Sequence, residues 1–379
     1  MLLYDSKSQT NKEFALPPRQ PIKMYVCGVT PYDTTHLGHA FTYVFFDVLL
    51  RYLQAQKYNV EYLQNVTDID DDILRKAKEQ NTDWKSLGQS WTDKYLTDMK
   101  NLNILAPHWY VKATDSMNKI IEMVNRLLTS GYAYAAGSNI YFDVSKFPSY
   151  GQLSHYSEKQ MILLSKERGA DPSDKNKKNP LDFILWQGAK PDEPIWIGPN
   201  NIKGRPGWHI ECSAMIDQYL GAQITIHGGG KDLIFPHHES ERTQSEAYTG
   251  KKPFVDFWVH TAMVMYQGEK MSKSLGNLVL VSDLLNTYDA NTIRFVLLSH
   301  QYRMPWEFNK SELDKAAEKV SQIKTVITQN SHVRTPNLHK FNQYLGDDMN
   351  TTQALEVMLA STDKDDLLKM SQIMGFKFT

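Results

Sequence analysis

Two cysteines stand in a chain of 379 residues, and each has chemical company. Cys27 lies in "CGVTPYDTTHLGHA", a few residues before a glycine flanked by His36 and His39. Cys212 lies in "GWHIECSAM" and is followed by the His-rich "FPHHESE". Cys27, Cys212, His237 and Glu241 supply S, S, N and O ligands, a set that selects Zn²⁺ in a tetrahedral site. His237 and Glu241, four apart in a helical stretch, share a face. The adjacent His238 and Glu239 rank lower as ligands. Two buried thiols beside an ordinary helical His–Glu pair is the plain alternative.

Two further strings carry phosphate chemistry. In "HLGHA", two imidazoles three apart at a helix start, with Gly38 between them, stand beside a positive dipole and close backbone. That suits a polyphosphate. In "EKMSKSLGN", Lys270 and Lys273 stand among Ser272, Ser274 and Gly276 as a short mobile cationic loop. Such a loop clamps phosphates and neutralises charge developing on a leaving pyrophosphate. A capped helix with surface histidines, and a solvated basic turn, are the plain alternatives.

The elements that must position these residues read as α/β. "IKMYVCGVT" is a short β-rich run stopping at Gly28, after which Asp33, Thr34 and Thr35 are the expected helix caps. Phe41, Val44, Phe45, Val48 and Leu49 then recur at helical spacing. "NVEYLQNVTDID" reads as a second strand, with a helix from about Asp70. Strand, helix, strand opens a doubly wound parallel sheet, which binds nucleotides at the carboxyl ends of its strands. In the middle, "SMNKIIEMVNRLLTSG" is a helix stopped by Gly131, and "YAYAAGSNIYFDV" alternates like a hairpin. "SKERGADPSDKNKKNP" is polar and rich in turn residues, a loop or mobile flap. "AQITIHGGG" and "FVDFWVHTAMVM" resume the strands around a helix in "KDLIFPHHESERTQSEAYTG", and from Ser282 onward the pattern is helical. The expected division is a first catalytic half over 1–109, an insertion over 110–190, a second half with the lysine loop over 191–280, and a helical bundle over 281–379.

An apolar content of 41% and a charged content of 22% are those of an ordinary globular chain. There is no run of 18 apolar residues and no apolar segment resembling a signal peptide at the start, so a cytoplasmic protein off the membrane is expected, and a monomer. Two cysteines in such a setting more often serve metal or catalysis than a disulfide. A net charge of -1 provides no global attraction to nucleic acid.

"HLGHA" far ahead of "KMSKS", with α/β segments between, resembles the "HIGH" and "KMSKS" motifs of class I aminoacyl-tRNA synthetases; Leu37 replaces the usual Ile. The resemblance covers essentially the whole chain. It implies a Rossmann-type catalytic domain, split by an insertion, that makes an aminoacyl-adenylate from ATP with Mg²⁺. His36, His39, Lys270 and Lys273 would be the catalytic residues. Cys27, Cys212, His237 and Glu241 match the zinc ligands of cysteinyl-tRNA synthetases, where the metal takes the substrate thiolate and so rejects serine.

At finer grain, "CGVTPYDTTHLGHA", "ERGADP", "KKNPLDFILW", "GRPGWHIECSA" and "GGGKDLIFPHHE" look most like the cysteine ligase of mycothiol biosynthesis, which joins cysteine to the amine of a glucosaminyl-inositol. Pro31, where tRNA chargers usually have Val, and "ERGADP" (Glu167 to Pro172) are the more specific pointers. By that resemblance Cys27, Gly28, Thr30, Thr42, Asn65 and Thr67 would line the cysteinyl-adenylate pocket. Trp208, Gly230, Lys231, Asp232 and Val264 would complete it. Glu241 departs from this pattern, which lacks a carboxylate there, and matches the tRNA chargers. After "DDMNTTQALEVM" the chain reaches "MGFKFT" without the basic anticodon-binding region of a full tRNA charger. The expectation is therefore an ATP-dependent ligase passing cysteine to a small amine. A cysteine–tRNA ligase acting on tRNA(Cys) is the alternative, and a non-catalytic synthetase-like protein a third.

Overall fold

Five parallel strands form the central sheet: β1 (Ile22–Val26), β2 (Val60–Val66), β3 (Trp109–Lys112), β4 (Ile224–Gly230) and β5 (Val255–Thr261). The computed structural model describes residues 1–14, 20–30, 35–271, 275–329 and 337–378. Pro31, Asp33, Thr34, Ser272, Lys273 and Ser274 therefore lie outside the described residues. The strand order is β5-β4-β1-β2-β3, every neighbouring pair parallel. The chain leaves β1 toward one edge and later returns through β4 toward the other. The switch point between β1 and β4 opens a crevice at their carboxyl ends, as the doubly wound reading requires.

The first helix, α1 (Leu37–Ala55), packs on this sheet. It packs tightly at Gly228 of β4, where a Cβ would lie 2.2 Å from Phe46 Cζ. Of the expected caps, Asp33 and Thr34 lie outside the described residues, and Thr35 is not the cap. His36 is the cap, its Nδ1 accepting from the Gly38 N–H at 3.0 Å, because an imidazole nitrogen two residues ahead supplies the same acceptor as a short polar side chain.

Between β3 and β4 lies a second, antiparallel sheet. Its strands, in spatial order, are Ala133–Ala136, Asn139–Phe142, Phe183–Gly188, Lys203–Pro206 and Trp196–Ile197. The first two are the hairpin expected from alternation. The segment expected to be a polar loop starts inside a helix, α2 (Glu158–Glu167), held by a capping box between Ser157 and Gln160; from Arg168 it continues as turns.

Two helices then bring the remaining site residues to the crevice: α3 (Trp208–Tyr219) and α4 (Glu239–Thr249). Beyond β5, a small sheet joins Val264–Tyr266 to Glu269–Lys270 and to Trp306–Glu307, interrupting the expected helical run. The helices 311–328, 338–346, 351–360 and 364–374 pack with α1 into one core. Among the described residues no helix is long and apolar enough to cross a membrane.

Candidate active site and metal centre

Where β1 ends, the Cys27 N–H still donates to Gly228 O of β4 at 2.9 Å, so the cysteine sits on the switch point itself. The next residue turns away on a tight brace. The Gly28 N–H donates to Asn65 Oδ1 at 2.6 Å, Tyr25 Oη donates to the same oxygen at 2.7 Å, and Asn65 Nδ2 donates to Thr67 Oγ1 at 3.2 Å. A Cβ at Gly28 would lie 1.8 Å from the Asn65 carbonyl oxygen, which is why glycine stands there.

A cavity of about 400 Å³ opens from this turn. Cys27, Gly28, Thr30, Thr42 and Thr67 line one side of it, and Trp208, Gly230, Asp232 and Val264 the other. His36, His39 and Lys270 reach the same space, the two imidazoles stacked with centroids 3.8 Å apart. Thr42 Oγ1 meets Thr261 Oγ1 at 2.7 Å. Two residues expected in the lining stand elsewhere. Asn65 is buried behind the wall as the brace of Gly28, and Lys231 points to solvent at the strand end. Lys273 lies outside the described residues.

Asp232 Oδ2 accepts from Arg168 Nη2 at 2.8 Å and from Lys270 Nζ at 3.2 Å. Burial raises its pKa, but Lys270 and Arg168 outweigh burial and hold the carboxyl below its usual value. Arg168, the residue after α2, belongs to the "ERGADP" string, and nothing in its local sequence marks it as a partner of Asp232. The turn segment it begins forms one wall of a second cavity.

At the floor, Cys27, Cys212, His237 and Glu241 bring one ligand atom each within 4.8 Å of one another, all buried. They come from the end of β1, the middle of α3, the entry to α4 and its first turn. His237 Nε2 and Glu241 Oε1 approach to 3.1 Å, yet neither forms a hydrogen bond. Two buried polar atoms turned toward common space is the arrangement a cation resolves. Their outer atoms are held. His237 Nδ1 lies 2.9 Å from His209 Nδ1, and Glu241 Oε2 lies 3.1 Å from His227 Nε2. Such outer partners set the orientation of metal ligands. Burial, then neighbouring histidines, push His237 well down, so its imidazole is neutral; burial lowers His209 and His227 to about 3. Burial, then Cys27, pushes the Cys212 thiol up, and burial raises Glu241. A thiol such as Cys212 and a carboxyl such as Glu241, which resist ionisation when bare, are groups a divalent cation deprotonates on binding.

His238, ranked lower as a ligand, bonds His260 through Nδ1 at 2.8 Å. His227, His238 and Glu241 are also grouped closely enough to hold a cation, sharing Glu241 with the first set. The first set is the better fit, because it alone contains thiols and one of its members, Cys27, lines the cavity.

A nucleotide-type crevice at a sheet switch point, lined by the stacked His36 and His39 and by Lys270, is that of a class I synthetase catalytic domain. Solved structures agree at the level of the fold. Mycobacterium tuberculosis methionyl-tRNA synthetase in complex with methionyl-adenylate superposes with a TM-score of 0.66 at 15% identity, over 94% of this chain and 88% of that one. Residues 14–318 match the family model "tRNA synthetases class I (C) catalytic domain", and the chain belongs to that family. "Cysteine--tRNA ligase" of Dehalococcoides mccartyi is 43% identical over 363 residues, 94% of this chain and 78% of that protein. "L-cysteine:1D-myo-inositol 2-amino-2-deoxy-alpha-D-glucopyranoside ligase" of Thermobispora bispora is 40% identical over 367 residues, 96% of this chain and 90% of that protein.

Proposed function

We propose that this enzyme activates L-cysteine with ATP as cysteinyl-AMP and passes the cysteinyl group to the amine of a small amino-sugar. The observation that carries the reading is the convergence of Cys27, Cys212, His237 and Glu241 at the floor of the cavity that His36, His39 and Lys270 reach from above. Zinc bound by those four side chains would supply a Lewis acid for a substrate thiolate and so select cysteine over serine. Asp232 faces the cavity beside Trp208 and takes the cysteine ammonium. The cysteine carboxylate attacks the α-phosphorus, and the bond to pyrophosphate breaks. His36 and His39 bind the phosphates, which carry Mg²⁺, while Lys270 and Lys273 offset the charge gathering on pyrophosphate. No protein nucleophile is needed; the residues position and stabilise.

A small acceptor is favoured by a second cavity beside the first, of small-molecule size, with several carboxylates in its lining and walled by the segment after α2. Relatives named for an amino-sugar acceptor and for tRNA match this chain almost equally well, so a cysteine–tRNA ligase is the second reading. The deciding experiment incubates enzyme, ATP and labelled cysteine with amino-sugars and, separately, with total tRNA. Label in the amino-sugar is expected. Rapid charging of tRNA, roughly 1 s⁻¹ or faster, with no labelled amino-sugar makes the second reading the correct one.

A further inference from the structure

The second cavity, about 290 Å³, shares Thr67, Asp70, Arg168 and Trp208 with the first. A molecule held in it meets the adenylate across that common wall. Its size is near the lower end of small-molecule sites, roughly 300 Å³. Carboxylates are prominent in the lining, which by itself defines nothing, since most are already engaged. Asp182 accepts from Tyr134 Oη at 2.7 Å and from the Val144 N–H at 2.9 Å. Asp174 accepts from Tyr141 Oη at 2.6 Å, Asp171 from Ser173 Oγ at 2.6 Å, and Asp71 pairs with Arg205 at 2.5 Å.

Glu211 of α3 differs. It lines the cavity, is 2% exposed, and its Oε2 is buried without a hydrogen-bond partner. Arg205 also lines this space, but its Nε pairs with Glu193 at 3.0 Å and its Nη2 with Asp71. A buried acceptor left without a donor is costly, more so when charged. Something that enters the cavity must supply the donor.

Resting on the small-amine reading above, we propose that this cavity is the acceptor subsite and that Glu211, with Asp70 on the common wall, holds the acceptor's ammonium. An ammonium brings three donors and a compact positive charge, one donor for the unpartnered Glu211 Oε2 and another for Asp70, whose Oδ1 already accepts the Ile73 N–H. Lys177 and Gln187 line the same cavity and offer donors for sugar hydroxyls. From Asp70 the nitrogen faces the space where the adenylate carbonyl would lie. In the transfer a C–N bond forms, the C–O bond to AMP breaks with its electron pair going to AMP, and the nitrogen releases two protons in all to water.

The test uses zinc-loaded full-length enzyme with D-glucosamine as probe acceptor and N-acetylglucosamine as its neutral counterpart. Wild type is expected to transfer cysteine to glucosamine and not to N-acetylglucosamine. Glu211→Gln is expected to raise the KM for glucosamine at least tenfold more than it changes cysteine-dependent exchange of pyrophosphate with ATP. Asp70→Asn, which keeps the helix cap, tests the common wall independently and is expected to raise the same KM. If both variants keep that KM within twofold of wild type, the subsite is wrong while the small-amine reading stands. If wild type charges tRNA and ignores glucosamine, both fall together.

Discussion

Lys270 Nζ stands 3.2 Å from Asp232 Oδ2, an ion pair that ties the strand Glu269–Lys270 to the wall of the first cavity. Under the proposed function, a phosphate of ATP would compete with Asp232 for this one ammonium. Lys270→Ala should lower the rate of cysteine-dependent pyrophosphate exchange by about 10²–10³, the range for losing one transition-state charge partner. The KM for cysteine should change by far less, and steady-state exchange at several cysteine concentrations separates the two effects.

The same pair has a pH signature. With its pKa held below the ordinary Asp value by Lys270 and Arg168, Asp232 contributes stability above that value and loses it as pH falls through the lowered one. The window lies below about pH 3.9. Because the Asp232 side chain is 30% exposed, solvent screens the pair and the effect is modest. Asp232→Asn should flatten that share of the acid loss, measured as urea midpoints across about pH 2 to 5. An unchanged acid slope in the variant rules the pair out as a contributor.

Cys212 is fully buried on α3, one ligand atom of the set at the cavity floor. Purified protein should carry about one zinc per chain, as a set of two thiolates, imidazole and carboxylate is complete. Cys212→Ser should lose metal and cysteine activation together, read by elemental analysis and by exchange. Stoichiometric zinc in a Cys27→Ala, Cys212→Ala double variant would remove the site.

Much of this site was legible in the order of residues, and the reason differs element by element. β1 and α1 announce themselves by apolar runs and helical spacing, and the glycines at 28 and 228 mark close approaches that the folded chain makes. The thiols were legible because cysteine is rare here and each has histidines nearby. The cap was misread because a histidine doing the work of a serine leaves no special pattern. For α2, the Ser157–Gln160 capping box was present in the sequence but was overshadowed by the polar run that follows. The two-residue strand that carries Lys270 has no periodicity to detect. Neither the brace role of Asn65 nor the bond from Arg168 to Asp232 can be read locally, because each partner lies tens of residues away.

Beneath the sheet, Arg294 Nη2 and Asp47 Oδ2 meet at 2.6 Å with both side chains fully buried, and Arg294 also donates to Met374 O and Leu102 O. This joins α1 to the C-terminal helices. Asp47→Ala leaves a buried guanidinium without its carboxylate and should cost about 3–5 kcal/mol. Urea unfolding checks it, and a loss under about 1 kcal/mol would mean that the Met374 and Leu102 carbonyls are enough to hold the Arg294 guanidinium.

The segment after α2 supplies the last prediction. Arg168 anchors its start to Asp232, and Asp174 anchors its middle to Tyr141, so the stretch between forms a fixed wall of the second cavity. Replacing residues 171–177 with a glycine–serine segment of equal length keeps Arg168 in place and removes the wall on the acceptor side. Transfer to an amine should then fall about tenfold or more, because an acceptor that is no longer oriented loses the advantage of proximity. Pyrophosphate exchange should fall much less, since His36, His39, Lys270 and the four ligand residues are untouched. A parallel fall in both reactions would instead place the segment in activation, acting through Arg168 and Asp232.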